Sequence, residues 1–361
     1  MGLYIFILFI YIVLIIFESY SKVHNNTILL KIWNFLLGLP IWIIVAFRGA
    51  EVGADTRVYE RLYNLYNVYE ANYVYSHFTM EKGYIALCRL CGRCGMSYQA
   101  FQVLIATVTI ASFGLFIYNH SENCAYSWII FITLLFMARS MNIMREMFTV
   151  SFSIFGIFFL KDKKYLHYVA LVFFLSFFHM SAVVLLIVLI FELIQSEYLR
   201  KTLTIMGCIC LPVFFELLAI GVTNLIGRYS HLLNSIYMNV EGGIAKIFYI
   251  IIVLFMNGWY AKNKKRSTAY SKLTGFERIW ENYLYIAAIF CFGGLKFGLM
   301  DRISVYYTVS YLVLIPNLLN RETITRRKII SYNIIMVLFL YFIMVLVYRN
   351  EWHRITPYSF F

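Results

Sequence analysis

The sequence predicts an all-α polytopic membrane protein with about twelve transmembrane helices and amphipathic helices on its outer face. Three observations carry this expectation. Of the 361 residues, 62% are hydrophobic and 14% charged, whereas soluble domains are nearer half apolar and a quarter charged. Apolar runs of bilayer-crossing length, about 20 residues each, recur from end to end. These runs do not alternate as barrel strands would, so the spanning backbone has to satisfy its own hydrogen bonds within helices. No stretch is large enough to fold as a separate soluble domain, which leaves residues 1–361 as one integral membrane domain.

In chain order the expected spans are 3–20, 30–47, 99–118, 125–141, 144–160, 165–178, 180–195, 203–222, 246–261, 279–298, 303–320 and 329–348. The first has no basic leader and no small-residue cleavage site, so it reads as a retained helix rather than a signal peptide. Residues 165–195 are long for one crossing of about 30 Å and short for two. Charge decides between these counts. Five basic loops should face the cytoplasm: Lys22 and Lys31; Lys161, Lys163 and Lys164; Arg200 and Lys201; Lys262, Lys264, Lys265, Arg266, Lys272 and Arg278; and Arg321, Arg326, Arg327 and Lys328. They fall on one side only if 165–195 crosses twice. Both termini then lie outside, with outer segments at about 48–98, 223–245 and 349–361.

This topology sorts the basic residues by type. The outer side holds Lys82, Lys246 and Lys296 against Arg48, Arg57, Arg61, Arg89, Arg93, Arg139, Arg145, Arg228, Arg302, Arg349 and Arg354. Anchoring needs only positive charge, which Lys supplies. A planar, permanently charged fork fits phosphate oxygens, so the outer arginines point to a diphosphate. The competing reading is that some are interfacial side chains that snorkel. The net charge of +13 does not indicate nucleic-acid binding, because no basic stripe interleaves with aromatics in a soluble domain.

Within 48–98, Tyr59, Tyr63, Tyr66, Tyr69 and Tyr73 have helix-like spacing, and Val58 to Tyr75 reads as an amphipathic helix on the surface. Gly83 to Gly95 reads as a second, or as a re-entrant segment. Cys88, Cys91 and Cys94 are spaced like part of a metal site, but the same spacing repeats one face of a helix and no fourth ligand is near. No metal is assigned, and no cofactor. The outer loops contain no Asp-x-Asp and the chain no Gly-rich nucleotide loop, so a sugar nucleotide is not the expected donor.

Several short motifs with polar residues interrupt the greasy chain. They are Arg48 with Val52-Gly53-Ala54-Asp55-Thr56 and Tyr59; Glu81-Lys82-Gly83-Tyr84; Met141-Asn142-Ile143-Met144-Arg145-Glu146; Phe177-Phe178-His179-Met180-Ser181-Ala182; Asp301-Arg302 with Tyr306-Tyr307; and Pro357-Tyr358. In order and spacing, from about residue 40 to the C terminus, the chain resembles the Wzy-type polysaccharide polymerases, in particular the EpsG-like family. One departure is Glu146, where the family pattern has Gln after the Arg.

The resemblance implies a glycosyltransferase of the bacterial inner membrane. It would polymerise undecaprenyl-diphosphate-linked oligosaccharide repeat units into O-antigen, exopolysaccharide or capsule on the outer face. The implied partners are that lipid-linked oligosaccharide, membrane lipids and a chain-length regulator protein, with no nucleic acid. A flippase for the same lipid-linked oligosaccharide and an O-antigen ligase are the alternatives.

The chemistry can be set out independently. A departing diphosphate needs its growing charge neutralised, which Arg can do, and an acceptor hydroxyl needs a base. Arg48, Arg57, Arg139, Arg145, Arg228 and Arg302 are the candidate diphosphate and glycan contacts. For Arg48, Arg145 and Arg302 the competing reading is an ion pair with Asp55, Glu146 or Asp301. Asp55, Glu81 and His179 are the candidate catalytic residues. The competing reading for the two carboxylates is holding an Arg or capping a helix, and for His179 a satisfied structural group. Tyr306 and Tyr307 are read as packing residues.

Overall fold

A computed structural model of the chain describes residues 1–20, 26–226, 243–264 and 275–361. Among these residues the elements are all helical, and extended backbone pairs in one antiparallel bridge, between Arg48 and Phe360. In order they are α1 (Gly2–Tyr20), α2 (Thr27–Ala46), α3 (Thr56–Val68), α4 (Ala71–His77), α5 (Lys82–Arg93), α6 (Tyr98–His120), α7 (Cys124–Thr133), α8 (Phe136–Asn142), α9 (Met144–Ser153), α10 (Gly156–Lys161) and α11 (Tyr165–Ser176). A 3-10 helix at Met180–Leu186 leads into α12 (Ile187–Leu193), followed by α13 (Glu197–Ile226), α14 (Gly243–Asn263), α15 (Glu277–Gly293), α16 (Gly298–Thr308), α17 (Tyr311–Asn320) and α18 (Ile324–Tyr348).

Each apolar run expected to span is helical where described, but several are broken. By length and composition four helices among the described residues can cross a bilayer: α2, α6, α14 and α18. The number is six if each bent pair counts once, α7–α8 at 55° and α16–α17 at 50°. The breaks have local causes. At Leu135 the backbone turns left-handed, with φ 67°, and its N–H bonds only three residues back, to Ile132 O at 3.1 Å. The Thr133 hydroxyl bonds back to Ile129 O at 2.7 Å, a habit that bends helices. Ser310 does the same at the second break, to Tyr307 O at 2.8 Å.

Apolar side chains are exposed on helices long enough to span. α2 presents Ile28, Leu29, Ile32, Phe35 and Leu36 outward and buries Leu30, Leu37, Ile41 and Ile44. α18 exposes Ile329, Met336, Leu340 and Val347. Patches of this extent suit lipid contact.

The described residues form two compact units, 1–183 with 315–361, and 184–314. In the first, α7 and α8 are buried throughout. The buried Glu18 carboxylate accepts the Cys124 and Ala125 N–H groups at 2.7 and 2.8 Å, so α1 supplies the missing acceptor at the start of α7. In the second, α12–α15 are joined by charge. Arg200 donates to Glu281 at 2.7 Å, Lys264 reaches Glu281 at 2.8 Å and Glu197 at 2.9 Å, and Asn282 donates to Glu192 at 2.6 Å.

Candidate functional site

The polar segment after α2 is built as a junction. Gly53 has φ 95°, and a Cβ there would lie 2.5 Å from Met141 O. Only glycine combines that conformation with that approach. The C-terminal residues clamp the same segment. Gly49 N–H donates to Ser359 O at 2.9 Å, Phe361 N–H to Phe47 O at 2.9 Å, and Gly53 N–H to Arg354 O at 2.9 Å. Tyr358 donates its hydroxyl to Ile44 O at 3.0 Å. Asn142, from α8, accepts Asp55 N–H at 2.9 Å and donates to Trp352 O at 3.1 Å. Three motifs distant in sequence therefore meet through backbone hydrogen bonds.

From this junction α3, α4 and α5 fold onto α6 with a core of their own. Tyr59, Tyr63 and Tyr66 point inward with Tyr84, Ile85, Cys88, Cys91, Tyr98 and Phe101. The tyrosine face expected at a membrane surface is thus a protein interior. Tyr69 and Tyr73 are exposed, because Tyr69 leaves the helix with ψ 155°. Cys88 and Cys91 fill this core while Cys94 is exposed beyond the end of α5. Cys88 and Cys91 thus share one buried face of α5, and Cys94 follows its last residue.

The site itself forms where α5 and α9 meet the turn after α11. Gly83 N–H donates to Phe177 O at 2.8 Å, and a Cβ on Gly83 would sit 2.6 Å from that oxygen. This close approach brings Glu81 beside His179. The Glu81 carboxylate caps no hydrogen bond of its own helix α5. One oxygen pairs with Arg145, and the other accepts Met180 N–H at 3.2 Å and lies 3.8 Å from His179 Nδ1. Glu146, next to Arg145 in sequence, lies on the other side of the imidazole, 3.8 Å from Nε2. The order in space is therefore Arg145, Glu81, His179, Glu146.

Two tyrosines fix the guanidinium. Arg145 lies over the rings of Tyr59 and Tyr84, 5.7 and 5.3 Å from their centroids, in cation–π geometry. The Arg145 and Glu81 side chains are 12% and 13% exposed, and His179 22%, so the charges meet largely buried, the histidine least so. Burial opposes the Glu81 charge, but Arg145, His179 and the Met180 N–H outweigh it and hold its pKa below the usual carboxylate value.

The other candidates are dispersed. Arg48 is 1% exposed; its Nη1 donates to Val45 O at 2.5 Å at the end of α2, and Met144 S lies 4.0 Å from Nη2. That is a cation on a helix C terminus, and not the competing ion pair with Asp55. Arg57 is exposed and pairs with Glu51. Arg139 is buried within α8. Asp55 stands at the N-cap of α3 without a side-chain cap bond. Arg145 pairs with Glu81 rather than with Glu146. In the second unit Asp301 meets Lys246 at 3.3 Å, and Arg302 follows Asp301 within α16. Arg228 lies outside the described residues. Tyr306 and Tyr307 are fully buried, as packing residues should be.

Tyr59 and Tyr84 were not among the expected site residues. Tyr84 stands in the same short motif as Glu81, and that adjacency was the available signal.

A profile of the EpsG family matches residues 31–360, nearly the whole chain. The chain belongs to the EpsG family. The matched region takes in every residue of the Arg145 cluster. No curated protein and no solved structure gave a significant match. Membership in the EpsG family is consistent with an exopolysaccharide-related polymerase, and the apolar helices with a membrane protein.

Proposed function

We infer that this EpsG-family chain polymerises undecaprenyl-diphosphate-linked oligosaccharide repeat units on the outer face of the bacterial plasma membrane. The observation that carries this reading is the Arg145–Glu81–His179–Glu146 cluster. It joins a guanidinium, two carboxylates and an imidazole in one cluster, the groups that glycosyl transfer from a diphosphate can use. The acceptor sugar hydroxyl attacks the anomeric carbon of the donor glycan. A new C–O bond forms, and the bond from that carbon to the diphosphate oxygen breaks. The electron pair leaves on undecaprenyl diphosphate, whose charge Arg145 offsets. The hydroxyl proton passes to His179, with the carboxylates stabilising the imidazolium. A guanidinium can supply the charge neutralisation without a metal.

The proposed topology has twelve crossings with both termini outside, a count supported by the positive-inside sorting of lysine-rich loops. In it, the junction at 48–56, the turn at His179 and residues 349–361 share the outer side. The short and broken helices α7–α12 would then need neighbouring helices to complete their passage.

Deleting the gene in its native strain and resolving the surface polysaccharide by electrophoresis tests the reading. Loss of the ladder with a single repeat unit still displayed is the expected result. Absence of any surface glycan would indicate a flippase instead, and accumulation of long lipid-linked chains a ligase.

A further inference from the structure

The Glu81 carboxylate behaves unlike a helix cap and unlike a sugar ligand held ready. It makes no cap bond to its own helix and pairs instead with Arg145. The Tyr59 and Tyr84 rings lie 5.7 and 5.3 Å from the same guanidinium. Arg145 Nε has no hydrogen-bond partner. A planar fork so held can donate to two parallel oxygens, and the single Glu81 carboxylate oxygen on Nη1 uses only part of that capacity.

The second Glu81 oxygen is already 3.8 Å from His179 Nδ1, about an ångström beyond hydrogen-bond distance. The main-chain contact at Met180 N–H, 3.2 Å, keeps it at the entrance of that path.

We propose that Glu81 occupies Arg145 in the free protein as a stand-in for the substrate's diphosphate, and that substrate binding exchanges the pair and hands Glu81 to His179. This rests on the reading that Arg145 receives a lipid-linked diphosphate. When the diphosphate takes the Arg145 fork, its negative charge repels the carboxylate it displaces. Glu81 moves toward Nδ1, accepts that N–H and holds the imidazole with Nε2 available as proton acceptor. Binding of the donor and readiness of the base are thereby one event. Until a donor is present, Glu81 stays 3.8 Å from Nδ1, beyond hydrogen-bond distance. Glu81 is a positioning residue in this scheme; it acts through Arg145 and His179.

The scheme separates binding from turnover. With the purified full-length chain in detergent, binding of inorganic pyrophosphate is measured for wild type, Glu81→Gln, Arg145→Gln and the Glu81→Gln/Arg145→Gln double variant. Turnover of lipid-linked repeat units is measured beside it. Glu81→Gln removes the competing charge, so its pyrophosphate dissociation constant is expected to fall by about tenfold while turnover drops. In the double variant that gain disappears. Glu81→Asp keeps the charge but retracts it, and is expected to bind pyrophosphate between wild type and Glu81→Gln; it serves if the Gln variant fails to fold. Equal or weaker pyrophosphate binding by the Gln variant, or by Asp where Gln does not fold, overturns the exchange while leaving the diphosphate reading in place. Pyrophosphate binding that is unaffected by Arg145→Gln removes the diphosphate reading itself, and the exchange with it.

Discussion

Arg145 pairs with Glu81, from a motif sixty-four residues earlier, and leaves its sequence neighbour Glu146 to face His179. Adjacent residues on a helix point about 100° apart, so Arg145 and Glu146 cannot share one partner in one plane. The arrangement divides the acidic and basic groups into a charged pair and a carboxylate–imidazole contact.

Arg145→Lys should lose most polymerising activity, by about a hundredfold or more, while the protein still reaches the membrane. An ammonium keeps the charge but not the planar fork or the stacking on Tyr59 and Tyr84. The check is polysaccharide chain length in a complemented deletion strain, with the protein level followed in membranes. Wild-type chain lengths would remove the argument for a two-pronged contact.

Acid should destabilise the protein through Glu81. Its folded-state pKa is held below the ordinary value. The stabilisation is therefore fully present above the unfolded carboxylate pKa of about 4.3 and is lost as pH falls through the folded value. Thermal unfolding of wild type is expected to weaken on acidification through this window, and Glu81→Gln to respond less steeply. Parallel curves for the two proteins would contradict the assignment.

Gly53→Ala should be poorly tolerated. It forces a positive φ on a residue with a Cβ, and places that Cβ against Met141 O. A cost of about 1–3 kcal/mol or more is expected, since the clash is with backbone. Size-exclusion profiles and thermal unfolding of the purified variant measure it. A stability equal to wild type would show that the junction can relax.

The C-terminal clamp should matter for activity through the junction it holds. Tyr358→Phe removes the bond to Ile44 O and is expected to cost about 1 kcal/mol. Removing residues 352–361 takes away the partners of Phe47, Gly49, Gly53, Ala54 and Asn142 together, and polymerisation should be lost. Full activity of the truncated chain would refute the clamp.

Much of the helical pattern was legible because apolar runs mark lipid- and core-facing helices alike. What the runs could not mark is where a helix bends. The breaks at Leu135 and Ser310 arise from main-chain turns and hydroxyl back-bonds inside otherwise uniform apolar stretches. The site was legible in part. Glu81, Arg145 and His179 stood out as polar groups at helix ends, and they do converge. Their pairing did not, because it depends on the Gly83–Phe177 approach, a tertiary contact with no local signature. Arg48 and Arg57 look alike as arginines in one polar segment; burial separates them, one capping α2 and the other exposed beside Glu51. Tyr59 and Tyr84 were hidden by abundance, being two among 30 tyrosines.

The most direct test is reconstitution. The purified chain in lipid vesicles is given its undecaprenyl-diphosphate-linked repeat unit in the presence of a metal chelator, and glycan length and free undecaprenyl diphosphate are followed together. Chains longer than one repeat, with one undecaprenyl diphosphate released per bond formed and none from Arg145→Gln, is the predicted result. Repeat units that remain single while the wild-type protein is folded in the vesicle would contradict the account.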